Sequence, residues 1–179
     1  MIRRFTICTC AALAILTGRP DAMAARQKGG PVETGPGTAA AARKFLAGRW
    51  SLVSFEVLPP GQAPLRVNGS GALVYDAFGN LDVEIRVDEA TASVLDRAGI
   101  SSTHGRISIS GRTAIDMQAR TLTYFFAGHA PLGAPSGPLA LNRPRYWQVA
   151  GNMLTLTTRG DDGQPLSVAR WHKSPAHAP

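Results

Sequence analysis

Apolar and polar positions alternate with a period of two through most of residues 50–172, the spacing of strands that bury one face. The alternation is cleanest at 81–87. There Leu81, Val83, Ile85 and Val87 fall on one side and Asp82, Glu84 and Arg86 on the other. Just before it, Ala77-Phe78-Gly79 reads as a three-residue loop, with Gly79 supplying positive φ, so that 71–76 and 81–87 form a hairpin. The same reading places strands at 50–58, 106–116, 121–128, 145–150, 153–158 and 166–172, the last three separated by turns at Gly151-Asn152 and at 160–163.

The period lengthens in two places. Residues 39–46 read as a helical turn leading into the domain. Residues 88–98 open on a capping Asp88, carry Val94, Leu95 and Ala98 at helical spacing and stop at Gly99, which predicts a short helix. A Gly/Pro-rich stretch at 129–144 predicts a long irregular loop. Most strands lack a helical crossover between them, which excludes a parallel βαβ arrangement. The pattern predicts an all-β fold, an eight-stranded antiparallel up-and-down β-barrel with one short inserted helix; a two-sheet sandwich is the alternative. A barrel of that size leaves room for one small ligand or is filled by its own side chains.

The turns also set register. The loop at 77–79 puts Tyr75 opposite Leu81, so Leu73 and Tyr75 face inward with Ile85, while the turn at Gly151-Asn152 puts Trp147 opposite Leu156, with Arg145 further along the same face. Leu122, Tyr124 and Phe126 are the matching choice in the strand at 121–128. The expected interior site is therefore Leu73, Tyr75, Ile85, Tyr124, Phe126 and Trp147. Uninterrupted alternation from Trp50 and Leu52 carries Ser54 and Glu56 inward too. A buried carboxylate needs a partner, and Arg145 is the first choice, Arg170 the second. Glu56 with Arg145 then forms a polar anchor for a ligand or an ion pair that seals the barrel; a bulge that turns Glu56 outward is the other alternative. Trp50 reads as a structural plug at the closed end, with Arg170 over its face.

The termini change the picture. Residues 1–24 pair a positive start (Arg3, Arg4) with an apolar run at 5–16 and end in Ala22-Met23-Ala24, the pattern of a secretory signal cleaved after Ala24. The apolar run falls short of the ~20 residues a spanning helix needs, so no stable membrane anchor is expected. Residues 25–42 are Ala, Gly, Pro and Thr without periodicity and read as a disordered leader, 43–174 as the barrel domain and 175–179 as a frayed tail. The expected location is periplasmic or secreted. Both cysteines, Cys8 and Cys10, lie within the signal, so the processed chain has no disulfide, thiolate metal site or cysteine nucleophile. The charge of +7 falls to +5 after cleavage, and the arginines are scattered singly, which argues against nucleic acid as a partner.

No catalytic motif and no cofactor or metal signature is present: there is no Gly-x-Ser-x-Gly, no Ser-x-x-Lys and no phosphate-binding glycine loop. His104, His129, His172 and His177 have no metal-ligand spacing, and Asp161-Asp162 reads as turn chemistry. An acid–base set of Glu56, Tyr75, His104 and Tyr124 inside the barrel is the one arrangement that would support an isomerase or cyclase.

Several motifs, in order and spacing, resemble the lipocalin-like domains of bacteria and fungi. Phe45-Leu-x-Gly48-Arg49-Trp50-x-Leu52-Val53-Ser54-Phe55-Glu56 resembles the opening of such domains. Gly71-Ala72-Leu73-Val74-Tyr75 with the Gly79 turn is similar to their second hairpin, and Ser110-Gly111-Arg112 to a further element. The run from Arg145-Tyr146-Trp147 through Gly151-Asn152 to Leu154-Thr155-Leu156 resembles their penultimate hairpin, and Arg170-Trp171 their closing strand. The chain departs from the pattern where His172 precedes Lys173 and in the Pro/Gly content of 129–144. The resemblance spans residues 45–173 and implies a calycin-type barrel that takes a small hydrophobic or amphipathic molecule.

Overall fold

The computed structural model describes residues 37–97, 100, 102–125, 140 and 143–175. The expected signal, nearly all of the leader, Phe126 and most of the loop that follows it lie outside the described residues. The alternating segments form β1 (Gly48–Val57), β2 (Leu65–Val67), β3 (Gly69–Tyr75), β4 (Asn80–Val87), β5 (Arg106–Asp116), β6 (Thr121–Phe125), β7 (Arg145–Ala150), β8 (Met153–Arg159) and β9 (Pro165–Lys173). Each is antiparallel to its neighbour, and β9 returns to pair with β1, which closes the sheet.

Nine segments make an eight-stranded barrel because β2 and β3 act as one bent strand. Both run antiparallel to β1: β2 pairs with its second half, Phe55 opposite Val67, and β3 with its first half, Trp50 opposite Leu73. Closure leaves no long edge exposed among these strands, the reason a meander of this size forms a barrel. The turn-derived registers are the observed ones: Tyr75 lies opposite Leu81, Trp147 opposite Leu156 and Val149 opposite Leu154. Gly79 has φ of 88° and its carbonyl accepts from Thr113 N at 2.7 Å, so the β3–β4 turn is tied to β5.

Two helices close the ends. Helix α1 (Ala39–Leu46) is capped by Thr38, whose hydroxyl accepts from Ala41 N at 3.2 Å. It buries Ala42 and Leu46, so the expected helical turn at 39–46 is a packed helix that takes up the last four residues of the segment expected to be leader. It packs where β1 begins and β9 ends: Trp50 Nε1 donates to Leu46 O at 2.9 Å, and Lys173 Nζ to Phe45 O at 2.6 Å. Helix α2 (Glu89–Arg97) joins β4 to β5 at the opposite end. There Asp88 Oδ1 accepts from Thr91 N at 2.7 Å, and Leu95 and Ile100 are fully buried against the barrel core. No described helix is long and apolar enough to cross a membrane.

Candidate functional site

Inward-facing residues sit in rows across the barrel wall. The row Trp147, Leu156, Ala169, Phe55 is apolar, as is Val149, Leu154, Trp171, Leu52. The next row toward the α2 end is different: Leu122 pairs with Arg145, Arg145 with Thr158, Thr158 with Ser167, and Ser167 with Val57. Arg145, Thr158 and Ser167 are all buried, Arg145 to 4 % exposure. A short run of polar groups is thus built into an otherwise apolar interior.

Arg145 lies with its guanidinium 4.1 Å from the centroid of the Tyr124 ring. It also donates from Nη1 to Arg143 O at 3.0 Å and from Nη2 to Ala140 O at 3.4 Å. Strand geometry makes this possible. Among the described residues β6 and β7 share two pairs, Thr121 with Tyr146 and Leu122 with Arg145, which sets Arg145 at the start of β7, within reach of the Tyr124 ring. Across the barrel, Tyr124 Oη and Tyr75 Oη are 2.8 Å apart, joining β6 to β3.

Burial holds both phenols protonated. It is the main cause that pushes Tyr75 well above its ordinary value of 10.0, with the neighbouring Tyr124 adding to it. Tyr124 is also raised by burial, but the Arg145 cation on its face works against the rise. Arg145 itself is drawn below 12.5 by desolvation, which the two phenols partly offset. The two hydroxyls share one hydrogen bond, in which either can be the donor.

Next to this cluster is a cavity of about 40 Å³. Of the expected site residues, Leu73, Ile85, Tyr124 and Arg145 line it, and Tyr75 is linked through Tyr124. Trp147 is half-buried against the core but outside this cavity, and Phe126 lies outside the described residues. Thr158, Ser167, Phe55 and Trp171 line the cavity and were not among the expected residues. Two signals for them stand in the sequence. Ser167, Ala169 and Trp171 alternate, and the apolar positions of β1 change phase from Trp50 and Leu52 to Phe55 and Val57.

That change of phase corrects the placement of Glu56. The β1–β9 register slips between Leu52 and Ser54, leaving Val53 as the extra, exposed residue of a bulge. Phe55 and Val57 turn inward, and Glu56 turns outward between them, half-buried. Its carboxylate lies 3.7 Å from Arg170 Nη1, which also approaches Ser54 Oγ at 3.3 Å. Arg145 is therefore not its partner. The plug is corrected as well: Trp50 is fully buried as expected, but the cation near its ring is Lys173, at 5.0 Å, because Arg170 belongs to the outer face. His104 is exposed in the turn before β5, so Glu56, His104, Tyr75 and Tyr124 do not form one constellation. Among the described residues no group of three or more His, Cys, Asp or Glu is placed to hold a metal ion.

A larger hollow, about 700 Å³, lies on the outer face of β3–β5 between Arg49, Glu84, Arg86 and Arg106. It is open to solvent. Glu84 pairs with both Arg86 and Arg106 at 2.6 Å, the pattern of a self-neutralising surface network. The interior cluster is the better candidate, because its polar groups are buried and burial strengthens every polar contact.

No protein-family model matches the chain, and no curated protein is similar to it in sequence. The fold is that of a closed eight-stranded barrel, consistent with the calycin-like type.

Proposed function

We propose that this chain is an exported, lipocalin-like protein that holds a small, partly apolar ligand inside its barrel. The observation that carries this reading is Arg145, buried on Tyr124 at the edge of an apolar cavity. Burying a guanidinium costs several kcal/mol of solvation, and an apolar side chain of similar volume would fill the position without that cost. A few fixed polar groups in an apolar enclosure are what orients a small molecule. The volume limits its size. About 40 Å³ holds roughly three waters at the ~10–15 Å³ each requires, far below the ~300 Å³ of a drug-sized pocket. The ligand is therefore very small.

The same volume favours a second reading, a filled barrel that serves as a structural or interaction module. Quenching of tryptophan fluorescence by a brominated short-chain alcohol separates the two. Saturable quenching supports the binder, whereas a linear, collisional response supports the filled barrel. Export rests on the signal-like residues 1–24. N-terminal sequencing of the protein recovered outside the cytoplasm checks it: a start at Ala25 is expected, and a retained Met1 overturns it.

A further inference from the structure

Two phenylalanines stand in water at the α1 end of the barrel. Phe78, at the tip of the β3–β4 loop, is 79 % exposed, and Phe45, on the outer side of α1, is 49 % exposed. The loop rests against the helix, since a Cβ on Gly79 would lie 3.6 Å from Arg43 Nε. It is also tied down. Asp76 Oδ1 accepts from Phe78 N and from Asn80 N, each at 2.8 Å, and Gly79 O from Thr113 N. Phe78 is thus held outward on a fixed turn, where its ring gains nothing from folding.

The charge around the two rings is positive. Lys44, Arg112 and Arg120 are exposed there, and among the described residues none of their side chains has a hydrogen bond or an ion pair. Arg112 lies opposite Asn80 beside the loop, and Arg120 stands in the β5–β6 turn at the same end. Arg43 and Lys173, half-buried, add to the same potential. Asp76 and Asp116 oppose it, and both carboxylates accept from N–H groups of their own turns. Asp82, further along the wall, is matched by Arg49 in the same row. The opposite end is mixed in charge, with Asp88, Glu89, Asp96, Asp161 and Asp162 among its arginines.

Exposed aromatic tips ringed by free cations suit a surface that offers hydrocarbon beneath a layer of negative charge. From this juxtaposition we infer that the α1 end docks reversibly on an anionic lipid membrane. Phe78 and Phe45 enter the boundary of headgroups and acyl chains, and Lys44, Arg112 and Arg120 meet the headgroup phosphates. This is a peripheral contact made by the folded barrel, not a spanning anchor. A second copy suits the face less well, because a two-fold contact sets these cations against their own equivalents. A nucleic acid would match the cations and leave Phe78 in water.

The test uses Phe78→Trp in the full chain, whose own three tryptophans are buried or half-buried. On phosphatidylglycerol vesicles the new emission should shift to the blue and be quenched by lipid brominated in its acyl chains. Gln164→Trp, in the exposed β8–β9 turn at the opposite end, should show neither, and it carries the same residues 1–24. Phe45→Trp is the second reporter, should the first disturb the loop. A cation held at an anionic leaflet is worth about fivefold in affinity, so phosphatidylcholine vesicles should bind roughly tenfold or more weakly by the same shift. Lys44→Gln/Arg112→Gln/Arg120→Gln should remove most of that preference. No shift at 78 and 45, equal shifts at 78 and 164, or equal affinity for the two lipids overturns the inference. So does a shift produced without lipid, by raising the protein concentration or by duplex DNA, which assigns the face to a second copy or to a polyanion. The interior takes no part in any of these outcomes, so the binding reading stands or falls by its own quenching test.

Discussion

At the scale of residues, the Tyr75–Tyr124 pair is the feature most open to measurement. Each phenol is buried and each is the other's partner across the barrel. Tyr124→Phe leaves the Tyr75 hydroxyl buried without that partner, a loss of about 1–3 kcal/mol in urea unfolding. Removing both hydroxyls, in Tyr75→Phe/Tyr124→Phe, should cost less than the two single changes added together, because neither polar group is then left behind. Glu56 and Arg170 belong to the other extreme. Their contact is 3.7 Å long and partly exposed, so Glu56→Gln should change stability by no more than about 0.5 kcal/mol. An interior Glu56 paired with Arg145 would have shown a far larger loss.

At the scale of elements, two devices shape the wall. The bulge at Val53 lets β1 present Trp50 and Leu52, then Phe55 and Val57, to the same interior. Deleting Val53 removes the extra residue and leaves Ser54 opposite Arg170 with Phe55 and Val57 still inward, so cooperative unfolding should survive, whereas deleting Ser54 as well puts Phe55 and Val57 on the outer face and should abolish it, as read by circular dichroism. The second device is the turn into β5. Gly105 has φ of 70°, and a Cβ there would meet Val87 O at 2.6 Å, the strand end that α2 departs from. Gly105→Ala therefore combines strain with a backbone clash and should lower stability by about 1–3 kcal/mol. Helix α2 itself is held by Leu95, buried over the barrel end, and Leu95→Ala should cost roughly 2–5 kcal/mol in the same assay.

At the scale of the whole molecule, closure makes the interior titration a property of the fold. Both tyrosines have pKa values raised by burial, and in the unfolded chain they return to about 10.0. The unfolded state therefore releases protons first as pH rises. The stability held by the buried pair is complete below pH 10.0 and is lost progressively above it, toward the raised folded values. Thermal melts should show an alkaline fall in Tm that is shallower in the double phenylalanine variant; identical slopes would mean the pair is not buried as described.

Much of the fold was legible along the chain because the forces behind it are local. A period of two, a loop whose third residue is Gly79 and the two-residue turn at Gly151-Asn152 are enough to pair β3 with β4 and β7 with β8 in register, since turn length sets which residues oppose each other. Leu73, Ile85 and Arg145 followed from that and Tyr124 from the alternation of its own strand, and the four lie around one cavity. Other contacts were decided only by the closed barrel. Which way Glu56 points depends on β9, more than a hundred residues later in the chain, taking up Phe55 one place out of phase. The Tyr75–Tyr124 bond spans 49 residues and two intervening strands. Ser167 and Thr158 become wall residues beside Arg145 because β9 and β8 stack on β7 in that register. Alternation and turns determine what each segment becomes. Which faces meet across the interior, and how little space they leave, is set by closure, because a sheet that joins its own ends must place every side chain at once.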